Sequence, residues 1–219
     1  MVTYDQLRQN AAVNTYIEEA DRALGALGYT EHSFAHVTHV AKTAGDLLTK
    51  LGYDAHTAEL ARAAGYLHDI GNLVNRVDHS QSGAIMAFRI LDKMGMDARD
   101  IAAVVSAIGN HDEGTGVPIN PIAAALILAD KSDVRRSRVR NPEPSTFDIH
   151  DRVNFSVNDT ALELDAAAKT LTLRLDIDTS CGSVMDFFEI FHVRMSMCKN
   201  AARTLGLGFG LVINGQTVM

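Results

Sequence analysis

The stretch that decides the fold is AAGYLHDIGNLVN, residues 63–75, where a His and an Asp stand side by side at the end of an apolar helix. On a helix, the residues three and four positions before His68 are Gly65 and Ala64, so the imidazole continues a seam of small apolar side chains. Asp69 lies one step further round the helix. Because an unpaired buried carboxylate is very unfavourable, another group must compensate the charge of Asp69.

Polar side chains interrupt the apolar face of three other predicted helices in the same way. His36 shares a face with Val40, His111 comes three residues after Ile108, and Asp130 ends an apolar run. Taken singly, each is typical of a hydrogen-bonded core His or a capping Asp. Taken together, they favour a bound metal, because neutral imidazole and carboxylate are preferred ligands of divalent transition metals and coordination neutralises buried charge.

The predicted ligand set follows from these positions. One ion is expected to be held by His36, His68, Asp69 and Asp130, and a second ion by His111 together with His79. His79 precedes a predicted helix, so a solvated loop His is the alternative for that residue. The cofactor is predicted to be Mn, Fe, Co, Ni or Zn, bound as one or two ions. His32, His39, His56, His150 and His192 are interpreted as surface or structural.

The pattern of the chain changes near residue 141. Residues 1–140 predict successive helices, with Ser33, Asp97 and Asn120 as N-caps. After a Pro-containing linker, residues 153–157 (VNFSV) and 170–178 (TLTLRLDID) alternate as strands do; a helix over 183–206 and a last strand over 207–215 follow. We therefore predict a mainly α protein: a helical metal-binding domain over 1–140 and a small α+β appendage (β-β-α-β) over 141–219.

Composition limits the classes of protein to consider. The net charge of -7 argues against a general nucleic-acid binder. The longest apolar run, IAAALILA, is too short to cross a bilayer, and the N-terminus has no secretory signal pattern. Two cysteines without metal-type spacing are typical of a reduced protein. A cytoplasmic protein without membrane association is the expectation.

The order of these motifs resembles the HD-domain metal-dependent phosphohydrolase superfamily, over approximately residues 30–135. The resemblance is carried by His36 in HVTHVA, by LHDIG at 67–71 and by LAD at 128–130. HSQSGA after Asp78 and AIGNHDE around His111 match the positions that bind a second metal in two-metal members. The resemblance implies a helical HD-type bundle and hydrolysis of a phosphomonoester, phosphodiester or nucleotide by a metal-activated water, with Asp69 as bridging ligand.

Three departures from the family limit the assignment of a substrate. HDEGTGVP is similar to the HHE…GYP segment of cyclic-di-GMP phosphodiesterases, but Asp112 and Val117 replace the second His and the Tyr. Asn72 stands where a Lys is usual after HDIG, and we predict that Asn72 contacts substrate. Cyclic-di-GMP is therefore not assigned. Asp112 is either a replacement ligand or a solvated side chain.

Basic residues that follow the last predicted ligand suggest phosphate recognition. Lys131 is the candidate to assist the leaving oxygen, with an ordinary exposed Lys as the alternative. Arg135 and Arg136 are predicted to bind substrate phosphate, since guanidinium groups pair bidentately with phosphate oxygens; a solvated helix end is the alternative. Asp133 is expected to orient a ligand or to pair with an Arg. The predicted partner is a small phosphorylated molecule, with a nucleotide as one candidate.

Two rival functions remain open. The same six ligands would suit an HD-type di-iron oxygenase, and a metal-stabilised regulatory module without catalysis is the second rival. The alternating run 170–177 would make an edge strand, from which we expect a homodimer.

Overall fold

The computed structural model describes residues 2–219 and is mainly helical, with a small sheet near the C-terminus. The helices within this range are α1 (Tyr4–Arg8), α2 (Ala11–Ala26), α3 (Phe34–Lys50), α4 (Ala55–Leu67), α5 (His79–Lys93), α6 (Ala98–Gly109), α7 (Pro121–Lys131), α8 (Ile149–Ser156) and α9 (Val184–Thr204). The strands are β1 (Val157–Asp165), β2 (Thr170–Ile177), β3 (Gly208–Ile213) and β4 (Gln216–Thr217). Short 3-10 turns cover Ile70–Leu73, Arg136–Arg138 and Pro144–Thr146.

The predicted helix starts are confirmed by their caps. The side chain of Ser33 accepts a hydrogen bond from the Ala35 amide, and Asp97 and Asn120 cap α6 and α7 in the same manner. These side chains satisfy amides that have no partner within the helix. The helical order predicted for the first 140 residues is therefore observed.

Helices α3, α4 and α7 form the centre of the core. Helix α7 is buried along its whole length, and both α3 and α4 pack against it. Gly65 allows α3 and α4 to approach closely, because a Cβ atom at this position would lie only 2.7 Å from the Ala41 Cα. The ends of these three helices carry His36, His68 and Asp130, which are thereby brought to one place.

The C-terminal part forms a mixed sheet in the order β1-β2-β3-β4. Strands β1 and β2 are antiparallel, β2 and β3 are parallel, and α9 makes the crossover that a parallel pair requires. Helix α9 also packs against α7 of the helical part. The predicted β-β-α-β order is confirmed, with the two-residue strand β4 added at its end. The division into domains at residue 140 stays a prediction.

Two details of the sequence prediction are wrong. Residues 153–156 of the predicted strand VNFSV belong to α8, whose N-terminus is capped by the side chain of Asp148; only Val157 is in a strand. A five-residue alternating run is too short to separate a strand from one and a half turns of a helix. The run 170–177 is an interior strand, paired with β1 and β3, and not an edge. The homodimer inferred from it stays a prediction without that support.

The helices of residues 2–219 include none with the length and apolar character that crossing a membrane requires.

Candidate metal centre

Six His and Asp side chains meet where several helices end. His36 lies in the first turn of α3, His79 is the first residue of α5, and Asp130 is the penultimate residue of α7. His68 directly follows α4, and Asp69 comes next. His111 follows the C-terminal residues of α6. All six side chains are buried, and Asp130, at 9%, is the most exposed.

Three of the imidazoles are oriented by the same local hydrogen bond. In each, Nδ1 donates to the main-chain carbonyl three residues earlier: His68 to Gly65 at 2.8 Å, His79 to Arg76 at 3.0 Å and His111 to Ile108 at 2.6 Å. Because Nδ1 carries the proton in the neutral ring, Nε2 keeps a free lone pair. These three Nε2 atoms point into the cluster.

His36 is oriented by a carboxylate instead. Its Nδ1 lies 2.7 Å from Oδ2 of Asp133, and both side chains are fully buried. Asp133 also accepts a hydrogen bond from Nε of Arg135 at 2.8 Å. The structure thus shows both contacts that the sequence offered as alternatives for Asp133. A carboxylate behind an imidazole fixes the ring and strengthens Nε2 as a donor to a metal.

A first group of ligand atoms surrounds one point between α3, α4 and α7. Oδ2 of Asp69 lies 3.1 Å from Nε2 of His68 and 3.5 Å from Nε2 of His36. Oδ1 of Asp130 lies 3.4 Å from Nε2 of His36 and 3.7 Å from Nε2 of His68. Atoms bound to one ion at about 2.1 Å lie about 3.0–3.4 Å apart in tetrahedral or octahedral geometry. These separations therefore suit one metal ion after small adjustments.

A second group lies on the other side of Asp69. Its Oδ1 is 3.6 Å from Nε2 of His79 and 3.9 Å from Nε2 of His111. Asn72 donates to the same Oδ1 at 2.9 Å and so helps to fix the carboxylate. The two oxygens of Asp69 face different groups of imidazoles, which is the arrangement of a bridging ligand. Asp112 lies at the rim, with Oδ1 3.9 Å from Nε2 of His79.

Two nitrogen atoms of the cluster lack a hydrogen-bond partner among the described residues. Nε2 of His36 and Nε2 of His68 are buried and make no hydrogen bond within the part of the chain that the structure describes. Nε2 of His79 lies 3.2 Å from Nε2 of His111, so two lone pairs face each other when both rings are neutral. A cation at each position would resolve the unpaired atoms and the repulsion together. The residues present therefore fit one or two metal ions, with two triads close enough to share an ion: His36, His68 and Asp130, and His68, Asp69 and His111.

The buried imidazole and carboxylate groups of the cluster stabilise each other's charged forms. Burial and Arg138 act to lower the pKa of His36, but Asp130, Asp133 and Asp69 outweigh them and raise it to about 10. Burial raises the pKa of Asp69, yet the neighbouring imidazoles hold it well below its usual value. A proton on His36 thus takes the place of a cation in the metal-free protein.

His111 is held neutral in the same cluster. Burial, with the nearby His68 and Lys131, lowers the pKa of His111 to about 3. Since only a neutral imidazole can donate a lone pair to a metal, His111 is ready to bind an ion at neutral pH.

A cavity of about 400 Å³ opens directly onto the cluster. Asp69, His79, His111 and Asp130 form one side of it. Lys131 lies beside them, with Nζ 2.7 Å from Oδ2 of Asp130, and is 5% exposed, so it is not an ordinary surface Lys. The cavity has the size of a site for a small molecule.

Arg135 and Arg136 are not among the residues that line this cavity. Arg135 pairs with Asp133 and Glu31. Arg136 donates to the Phe155 carbonyl and lies over the Phe155 ring. Their contact with substrate, like that of Asn72, stays a prediction.

Other cations line the cavity in their place. Arg76 comes from the segment before α5, Arg138 from the second 3-10 turn and Arg194 from α9. His32 and His150, which the sequence suggested were surface or structural, also line it. No local pattern marks these residues, because they reach the cavity from elements far apart in sequence.

Comparison with known proteins finds a family match within the helical part. The HD domain family model matches residues 33–135. An uncharacterised protein of Methanocaldococcus jannaschii is 30% identical over 171 residues, which is 67% of this chain and 65% of that protein. Ribonuclease Y of Bacillus subtilis is 29% identical over 113 residues, 52% of this chain and 20% of the enzyme.

One solved structure is also similar, the crystal structure of a predicted HD superfamily hydrolase from an uncultured Thermotogales bacterium. Its TM-score is 0.44 at 26% identity, and the match covers 57% of this chain and 67% of that one. The chain therefore spans about two thirds of the archaeal relative and a fifth of ribonuclease Y.

Proposed function

This chain carries an HD domain, and from that premise we propose that it is a metal-dependent phosphohydrolase that acts on a small phosphorylated molecule. The observation that carries the proposal is the orientation of the four imidazoles. Their Nδ1 atoms are engaged by carbonyls and by Asp133, while their Nε2 atoms converge on Asp69 and Asp130. Among the described residues, the one other donor near these Nε2 atoms is Nη1 of Arg76, at 3.5 Å from His79, so the arrangement supports metal binding.

Divalent ions in such a centre supply a water of lowered pKa and neutralise phosphate oxygens. Asp69 offers one oxygen to each group of imidazoles and so would hold two ions at a fixed spacing. The Lys131 ammonium lies at the cavity wall beside Asp130, where it would stabilise charge on the leaving oxygen or donate a proton to it. Arg76, Arg138 and Arg194 add positive charge to the same wall.

The predicted ligand set suits both a phosphohydrolase and a di-iron oxygenase. The cations that line the cavity support the phosphohydrolase. Guanidinium and ammonium groups bind phosphate oxygens through charge-assisted hydrogen bonds. The element bound after aerobic purification, together with oxygen uptake, distinguishes the two enzymes. A regulatory module would bind metal without turnover.

The proposed substrate is small because the cavity holds only about 400 Å³ and residues of α8 and α9 form part of its wall. Ribonuclease Y shares only the matched segment with this chain. Hydrolysis of a single-stranded RNA and of a small phosphoester, measured side by side, tests this part of the proposal. Cleavage of the RNA alone would contradict it.

The proposal is tested with a matched pair of variants on one helix. His36→Ala removes a buried Nε2 from the centre, whereas His39→Ala, one turn later on α3, removes an imidazole that points away from it. We expect His36→Ala to lose bound metal and phosphate release with Mn²⁺, Co²⁺ or Ni²⁺, and His39→Ala to keep both. Asp69→Ala should also abolish activity, with its folded state confirmed by circular dichroism. Full activity in the His36 or Asp69 variant would overturn the assignment.

A further inference from the structure

The cavity is lined by two chemically different sets of side chains. One set comprises the predicted metal ligands and several cations. The other comes from α8 and its N-cap, which lie beyond the HD match at 33–135. It presents hydrogen-bond acceptors to the cavity, from Asp148, Asp151 and Asn154. Cations and acceptors thus line the same cavity.

Two of these residues are largely buried, and their side-chain oxygens have few donors among the described residues. Asp151 is 7% exposed, and its only recorded side-chain hydrogen bond within residues 2–219 comes from Asn141, at a long 3.4 Å. Asn154 is 6% exposed; its Nδ2 donates to the His150 carbonyl, while no donor to its Oδ1 is recorded in that range. Asp148 differs, because its carboxylate caps α8 by accepting from the Asp151 amide at 2.7 Å.

The fully buried, unpartnered side-chain atoms of the described residues lie elsewhere, at Tyr4, His36 and His68, so the oxygens of Asp151 and Asn154 stay accessible to the donors of a ligand. Burial and the neighbouring Asp148 also raise the pKa of Asp151, so a donor or a cation at this carboxylate would be favourable. Helix α9 does not supply one: Arg194 is turned to Glu113 at 2.7 Å and packs over Phe191.

We propose that Asp151 and Asn154 recognise the leaving group, so that the substrate is a phosphate monoester of an alcohol bearing hydroxyl or ammonium groups. This rests on the proposed function. The phosphate binds at the predicted metal ligands and the cations beside them, and the donors of the alcohol reach the acceptors of α8 in the same cavity. A sphere of the cavity's volume is about 9 Å across, which suits a phosphate with a five-carbon alcohol. Water attacks phosphorus, the P–O bond to the alcohol breaks and the leaving oxygen takes up a proton, so the products are inorganic phosphate and the alcohol.

The test uses three five-carbon esters that differ in their donors: ribose 5-phosphate, 5-aminopentyl phosphate and n-pentyl phosphate. The metal-loaded wild-type protein should hydrolyse at least one donor-bearing ester with a kcat/KM about 10–100-fold above that of pentyl phosphate. Ribose 5-phosphate tests recognition of hydroxyl groups, and 5-aminopentyl phosphate tests recognition of an ammonium group. Asp151→Asn should remove most of the preference, so that the kcat/KM values for the three esters approach one another.

Controls separate this inference from the proposed function. Asp159→Asn, an exposed carboxylate on β1, should keep the preference. Asn154→Leu removes the second acceptor, and it tests the inference independently if the Asp151 variant does not fold. Equal kcat/KM for all three esters in the wild type, or a preference that survives in both α8 variants, would overturn the inference while leaving hydrolysis established.

If none of the three esters is hydrolysed, that result counts against the proposed function. Measurement of ester binding then still tests the inference. Calorimetry with the same three esters should then show the same order of affinity, and the same loss of that order in Asp151→Asn. Equal affinities for the three esters would overturn the inference.

Discussion

At the scale of single residues, the best-defined positioning contact is that between Asp133 and His36. Both side chains are buried, and the 2.7 Å contact fixes the ring whose Nε2 lies between Asp69 and Asp130. Burial raises the pKa of Asp133, but His36 and Arg138 hold it far below its usual value, so the group is a carboxylate at every working pH. Its charge strengthens His36 as a ligand.

Asp133→Asn should therefore weaken metal binding without abolishing it. We expect a loss of affinity of about 10–100-fold, the usual effect of removing a carboxylate behind a ligand His. Competition against a chromophoric chelator measures the dissociation constant, and Asp46→Asn, an exposed carboxylate on α3, is the control. Unchanged affinity would show that the contact does not tune the site. The melting temperature is followed in parallel, because Arg135 and Arg138 also contact Asp133.

The residues of the cluster are those that the helical phase of the sequence singles out. His36, His68, His111 and Asp130 fall on apolar faces, and burial follows from that placement. Their orientation does not follow, because it depends on Nδ1 contacts with carbonyls and with Asp133. The cations that line the cavity are harder to predict, because the sequence alone does not distinguish Arg135 and Arg136 from Arg138. Only the tertiary fold decides which guanidinium reaches the cavity.

At the scale of elements, the site depends on how closely α3 and α4 approach. Gly65 lies where the helices touch, and a Cβ atom there would come within 2.7 Å of Ala41 Cα and 2.8 Å of its amide nitrogen. Both neighbours are backbone atoms, so they move only if the helices separate. Separation would pull His36 away from His68, whose rings now lie 5.2 Å apart between centroids.

Gly65→Ala should lower the free energy of unfolding by about 1–3 kcal/mol, the usual cost of overpacking, and weaken metal binding as well. Gly109→Ala is the matched control: it is also a helical glycine, but its Cβ atom would meet nothing closer than 3.8 Å. Since alanine favours the helix by about 1 kcal/mol, that variant should be as stable as the wild type or more so. Urea unfolding with and without metal measures both. Equal stability of the two variants would refute the close-packing argument.

Helix α8 shows why element type is harder to predict than helical phase. Its eight residues include two aromatic or β-branched residues in alternation, Val153 and Phe155, which favour a strand when read alone. The Asp148 cap and the burial of Val153 favour the helix instead. In the sequence, the N-cap residue Asp148 is weak evidence for a helix over Val153 and Phe155. In the structure, both residues are helical.

At the scale of the whole molecule, the cavity is lined by parts of the chain that are far apart in sequence. The segment that matches the HD domain supplies the predicted metal ligands, the C-terminal part supplies residues of α8 and the α9 residues Phe191 and Arg194, and residues 27–30 and 32 lie before the match. Lys131 and Arg194 share the carboxylate of Glu113, at 3.5 and 2.7 Å from Oε1. A charge network therefore joins α9 to the neighbour of Asp130. Substrate choice is thus expected to follow the C-terminal part, and the metal chemistry to follow the HD domain.

The stability of the whole protein should depend on pH in opposite ways with and without metal. In the metal-free protein the pKa of His36 is raised from 6.5 to about 10, so its contribution is fully present below about pH 6.5 and is lost as pH rises toward 10. The pKa values of Asp69 and Asp130 are lowered, so their contribution is present above about pH 4 and is lost in acid. The metal-free centre thus favours mildly acidic solution.

Metal binding must displace the proton from His36, so the stabilisation by metal should grow as pH rises through this window. We expect the melting temperature of the chelator-treated protein to fall between about pH 6 and pH 8.5, and the increment from saturating Ni²⁺ to be larger at the higher pH. Calorimetric titration at about pH 7.5 in buffers of different ionisation enthalpy should detect release of roughly one proton from this site per ion bound. His39→Ala should behave as the wild type. An increment from Ni²⁺ that is the same at both pH values, with no proton released, would mean that His36 does not exchange a proton for a metal.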